Sequence, residues 1–219
     1  MVTLVFVAVI LAAVALDAWV IRPWTEKHRP RVGRSHDAPI EIVVPRTLFF
    51  HPGHTWARLD DDGKVTVGVD DLVRTVAGDL SAVELPVVGN AVRAGDRAMS
   101  IRVGPRSLAL PAPVSGTVSE VNAALGKDPV RLRWRPYKEG WAFRVAPGDS
   151  LARELAGLVI GREAERWMRN ELDGLSELVG DGVASPPLTG ALADAGSRAW
   201  AFFVGEAPDA GGADAERAT

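Results

Sequence analysis

The chain has 219 residues, 47% of them hydrophobic, a formal net charge of −3 and no cysteine. That length suits one ordinary domain with extensions, and the slightly acidic balance lacks the electrostatic footprint of a nucleic-acid binder. The missing cysteine excludes disulfides, thiolate metal sites and cysteine nucleophiles, and leaves the redox compartment open.

The first element is an almost unbroken apolar run, Met1 to Ile21. At 1.5 Å per residue a helix of about 20 residues crosses the roughly 30 Å of a bilayer core. Ala13-Val14-Ala15 resembles a signal-peptide cleavage site, but no positive region precedes the run, and the run continues past that site. Asp17 falls near one end, where Trp19 and Trp24 suit the interface. The expectation is an uncleaved transmembrane anchor over 1–21. Arg22, Lys27, Arg29, Arg31 and Arg34 follow, with Glu26 the only acid among them. Positive flanks stay on the cytoplasmic side, which predicts an N-terminus facing out and a cytoplasmic main domain. The bland reading of the basic run is a topogenic signal.

Residues 22–46 are charged and broken by Pro23, Pro30, Gly33, Pro39 and Pro45, and read as a linker. The pattern then changes to short strands. Thr55 to Leu59 and Lys64 to Val69 are a predicted hairpin over Asp60-Asp61-Asp62-Gly63, with Gly63 at positive φ. The three aspartates lack the remaining ligand spacing of a calcium loop. Gly78 to Pro86 and Val88 to Asp96 read as further short strands with glycine turns. Ala98 to Val103 and Leu108 to Ala112 form a pair around Gly104-Pro105. Thr117 to Val121 and Trp141 to Val145 close the series, which points to a compact β barrel or sandwich. Trp56 and Trp141 read as core anchors.

In these residues the chain, from Leu48 to about Leu158, resembles the H protein of the glycine cleavage system, a lipoyl-domain carrier. His54-Thr55-Trp56 matches the family's His-Glu-Trp with Thr for Glu. Val67-Gly68-Val69 with Asp71 matches its Val-Gly-Ile-Thr-Asp, with Asp70 for Thr. Gly78-Asp79, then Val83-Glu84-Leu85-Pro86 with Gly89, follow in order. Ala112 to Gly116, Val121-Asn122, Pro129, Pro136-Tyr137 and Gly140-Trp141 complete the set. The resemblance implies a mainly β, lipoyl/biotinyl-like barrel-sandwich hybrid with C-terminal helices.

The resemblance also implies a lipoyl lysine at a hairpin tip, within Glu-Ser-Val-Lys. Between Gly89 and Gly116 the family spacing fits without a gap, and it sets the lysine on Pro105, the preceding Val on Gly104 and the Glu on Arg102. Proline offers no amine to acylate, and the guanidinium of Arg106 is no substitute. The four lysines, Lys27, Lys64, Lys127 and Lys138, all lie elsewhere. No cofactor is therefore expected, lipoate entering only if another lysine is used. Gly104-Pro105 still suits a turn. Arg102 and Arg106 at its flanks read as a solvated edge in preference to an acidic partner's docking site.

Leu151, Leu155, Leu158 and Val159 recur at helical spacing, as do Trp167, Met168, Leu172, Leu175 and Leu178. Leu188 to Val204 reads as another apolar-rich helix. The organisation expected is an anchor over 1–21, linker 22–46, H-protein-like domain 47–158, helical extension 159–205 and a disordered tail 206–219. His51 and His54 have no carboxylate cluster, nucleophile motif or further metal ligand placed beside them, so a catalytic or metal site is not expected. The reading is a non-catalytic, membrane-tethered, H-protein-like domain with protein partners, and with neither nucleic acid nor a small-molecule substrate. A working glycine-cleavage carrier modified at another lysine is one alternative. A membrane-fusion-type transport adaptor is the other, disfavoured because no long helical hairpin splits the β segment.

Overall fold

The structure is a computed structural model that describes residues 41–180, 188, 190–193 and 199–204. The apolar run over 1–21, its basic flank Arg22, Lys27, Arg29, Arg31 and Arg34, and the tail 206–219 lie outside the described residues. Among the described residues no helix is long and apolar enough to cross a membrane.

Among the described residues, ten strands form two sheets. β1 (Phe49–His51), β2 (Thr55–Leu59) and β3 (Val65–Val69) run as an antiparallel meander. Every residue of β3 is buried, because it lies between β2 and β9 (Trp141–Pro147) in the middle of the larger sheet. β8 (Gly116–Val121), β5 (Ala91–Val92) and β10 (Val159–Ile160) complete that sheet in the order β10-β1-β2-β3-β9-β8-β5. β4 (Ala82–Glu84), β6 (Arg97–Val103) and β7 (Arg106–Pro111) make the smaller sheet, ordered β4-β6-β7. Phe50, Trp56, Phe143, Ile101, Leu110 and Leu125 are fully buried in one shared core. Each side chain of this size contributes about 1.5–3 kcal/mol by leaving water. Trp56 is such an anchor, while Trp141 only packs at the core's edge.

Several short helices join the strands. α1 (Asp71–Ala77) starts where the Asp70 side chain accepts from the Val73 N–H at 3.0 Å, an N-cap that satisfies one orphan donor. Its Leu72, Val73, Val76 and Ala77 are buried. α2 (Ala123–Lys127) is capped by Asn122 in the same way, and α3 (Val130–Trp134) follows it. α4 (Leu151–Ala156) leads into β10, then comes the 20-residue α5 (Gly161–Gly180). Ala164, Met168 and Leu175 bury one stripe of α5. A 3₁₀ turn at Ala191–Ala193 and α6 (Ala199–Val204) complete the described chain.

The β2–β3 and β6–β7 pairs form where the sequence placed them, and the described chain is mainly β with C-terminal helices. Of Val88 to Asp96 only Ala91 and Val92 form a strand. Four further details differ. The segment Gly78 to Ser81 is not a strand, since β4 begins only at Ala82. α1, α2 and α3 were not expected; helices of five to seven residues are too short to display a 3.6-residue stripe. The helical spacing through Val159 is interrupted, because Val159 and Ile160 pair with Phe50 and Phe49 of β1. In the C-terminal stretch the described helix is only α6, with the 3₁₀ turn before it.

Candidate functional site: the Gly104-Pro105 hairpin and the surfaces beside it

β6 and β7 pair in register from Ser100↔Ala109 to Val103↔Arg106, which leaves Gly104 and Pro105 as a two-residue turn. Gly104 has φ +56, and the proline ring holds φ near −65° at the next position. Positive then negative φ, with glycine first, is the pattern of a type II′ hairpin turn, whose twist matches the flanking strands. The hairpin is therefore a tight one, and its tip bears no side-chain amine.

Both arginines at the tip have partners. The guanidinium of Arg102 donates to Glu84 on the adjacent strand β4 at 2.6 Å, and the Ser100 hydroxyl donates to the same carboxylate at 2.9 Å. Arg106 lies over the Trp200 ring of α6, 5.4 Å from its centroid. Trp200 is nearly buried, and its indole N–H donates to the Leu192 carbonyl at 2.9 Å. The C-terminal segment is thus docked beside the tip of the hairpin. Lys64 is ion-paired with Asp62 in the β2–β3 turn at 3.2 Å, Lys127 ends α2, and Lys138 follows α3. None of these three lies on the β6–β7 hairpin.

Next to β7, His54 occupies a buried junction. It sits in the β1–β2 turn at φ +63, an uncommon conformation for a residue with a side chain. Its Nδ1 lies 2.8 Å from Asp70 Oδ2, and its ring stacks on Trp167 of α5 and meets Phe203 of α6 edge-on. Burial opposes a charge on His54. The carboxylate of Asp70, through its charge and hydrogen bond, together with Glu171, outweighs that burial and raises the pKa. His51 is different: its Nδ1 accepts from the Gly53 N–H at 2.8 Å, and burial, then the charge on His54, lower its pKa. A cleft of about 190 Å³ runs between His54, Glu171, β7 and Phe202-Phe203. Among the described residues no three His, Asp or Glu side chains converge as a metal site.

The sequence placed His51 and His54 together but missed the partners of His54. Asp70, Trp167, Glu171 and Phe203 come from three distant segments with no shared motif. It also missed a basic, aromatic groove of about 500 Å³, in which Trp134 lies among Arg74, Arg133, Arg135 and Lys138.

Comparisons with known proteins bear directly on this geometry. Residues 48–171, more than half of the chain, match the family model described as Glycine cleavage H-protein. The chain belongs to the glycine cleavage H-protein family. A glycine cleavage system H protein of Xanthomonas euvesicatoria pv. vesicatoria is 42% identical over 106 residues, spanning 48% of this chain and 81% of that protein. Glycine cleavage system H protein 2 of Pseudomonas syringae pv. tomato is 41% identical over 116 residues, spanning 53% of this chain and 89% of its own. The crystal structure of a glycine cleavage system H protein from Mycobacterium marinum superposes with a TM-score of 0.50 at 29% identity, covering 57% of this chain and 99% of that one. The H-protein family consists of lipoyl carriers, which are not themselves catalysts and work with the other glycine cleavage proteins. In this chain the H-protein frame is followed by α6, which packs against it.

Proposed function

We propose that this chain is a membrane-tethered H-protein-like domain that carries no lipoate and acts as a protein-interaction module. The observation that carries the reading is Gly104-Pro105 at the tip of the β6–β7 hairpin. Attaching an arm means forming an amide between a primary amine and the lipoyl carboxyl. The proline nitrogen is already a tertiary amide, and the guanidiniums of Arg102 and Arg106 stay protonated. Two further features support the reading. The arginine pairs with Glu84 and Trp200 occupy both flanks of the turn. The apolar run over 1–21 with its basic flank suits a tether with the domain on the cytoplasmic side.

Incubation with a lipoate ligase, ATP and lipoate tests the first half of this reading. The wild-type chain is expected to keep its unmodified mass, while Pro105→Lys offers an amine at the tip and gains one lipoyl increment. An increment on the wild type, mapped to Lys27, Lys64, Lys127 or Lys138, would favour the alternative of a working carrier modified at another lysine.

A further inference from the structure

We propose that the face around Trp134 is a contact surface for anionic lipid headgroups, a second point of attachment beside the tether; this rests on the tethered reading above. Trp134 closes α3 with 73% of its surface exposed, and Val130, one turn earlier, is 50% exposed. Leu132 between them is fully buried, so the helix already spends its core-facing side on the fold. An indole left in water beside guanidiniums is the composition of a membrane-interface element, where aromatic rings lie at headgroup level and Arg and Lys meet phosphates.

The charge around it fits that ligand. Asp128 to Gly140 contains Arg131, Arg133, Arg135 and Lys138 against Asp128 and Glu139. Arg133 pairs with Asp79, and Arg135 with Glu139 at 3.1 Å; both carboxylates are exposed. Exposed pairs of this kind are weak in water, and each guanidinium has five donors, so phosphate can displace or join the carboxylate. Arg74 is held by the buried carboxylate of Asp71 and stays with the fold.

The path of the chain supplies the second argument. The Val43 N–H donates to Asp71 at 2.9 Å, and Tyr137 donates its hydroxyl to the Val43 carbonyl at 2.7 Å. These bonds pin residue 43 to this face, and Glu41 lines the same groove as Trp134. The 40 residues preceding Glu41 include the apolar run and the basic linker. Holding the domain near the bilayer raises the effective concentration of a weak surface contact, and two weak signals together make a stable one.

The absence of native cysteine makes the test direct. Trp134→Cys in the full chain is labelled with an environment-sensitive NBD fluorophore and reconstituted into phosphatidylcholine vesicles with or without phosphatidylserine. Val130→Cys, which keeps Trp134, serves as a second reporter. The expected result is a blue shift and loss of iodide quenching on phosphatidylserine vesicles, reversed by high salt and abolished in the Val130→Cys reporter by Arg133→Glu with Arg135→Glu. Labels that stay quenchable on both compositions overturn the proposal, as does shielding that appears only on adding a protein extract. Flotation in alkaline carbonate reads the tether separately. A chain retained by the vesicles with both labels quenchable keeps the tether and loses the face. A chain extracted by carbonate but shifted on anionic vesicles loses the tether and keeps the face.

Discussion

His54 shows how one residue ties three parts of the molecule together. Its carboxylate partner Asp70 also caps α1, and its ring supports α5 and α6. Removing one member of a buried charged pair strands the other, at a cost of about 3 kcal/mol or more. Asp70→Asn is therefore expected to lower unfolding free energy by about 3 kcal/mol in urea titrations below pH 6.5, where the His54 charge is present. The pH dependence follows from the raised pKa of His54. Its contribution is complete below the ordinary histidine value of 6.5 and is lost as pH rises through the higher folded-state value. Wild-type stability should thus decline on the alkaline side of 6.5, and Asp70→Asn should flatten that decline. His51, with its lowered pKa, acts oppositely, costing stability as pH falls below 6.5.

At the scale of elements, the β2–β3 turn explains its run of aspartates. Arg144 on β9 reaches Asp60 at 3.0 Å, Asp62 at 2.9 Å and Glu120 at 3.4 Å. Burial works against the Asp60 carboxylate, but the hydrogen bonds from Thr66, Arg58 and Arg144 prevail and lower its pKa. That contribution is present above the ordinary value of 3.8 and is lost as pH falls through the depressed one. Arg144→Ala should cost about 1–2 kcal/mol at pH 7, and less in acid, where the carboxylates are protonated. At the other end of the chain, Trp200→Ala removes a nearly buried indole and its bond to Leu192. A loss of about 3 kcal/mol is expected, together with faster proteolysis after α5.

These elements also show what a sequence reveals. Lys64 to Val69 alternates cleanly, and Gly63 takes the positive φ, +78, that the turn demands. Gly104-Pro105 likewise turns where the dipeptide suggested. By contrast, α1 is barely two turns long, and β10 is two residues paired with β1. Neither length can carry a periodic signal. The surroundings of His54 were illegible for another reason: Asp70, Trp167 and Phe203 become neighbours only once the sheet and α5 are assembled.

For the whole molecule, the reading combines a β frame of the H-protein family, a hairpin tip ending in proline, a C-terminal segment packed beside that hairpin, and an apolar run at the N-terminus. The proposed tether has its own consequence. The full chain should remain with membranes after alkaline carbonate extraction, whereas a chain beginning at residue 41 should be released, as read by immunoblot of the two fractions. The central claim concerns the arm, and the intact mass of the full chain, purified from its native host grown with lipoate, tests it most directly. The account predicts no lipoyl increment. A lipoyl increment on any lysine would contradict it and return the chain to the working carriers of its family.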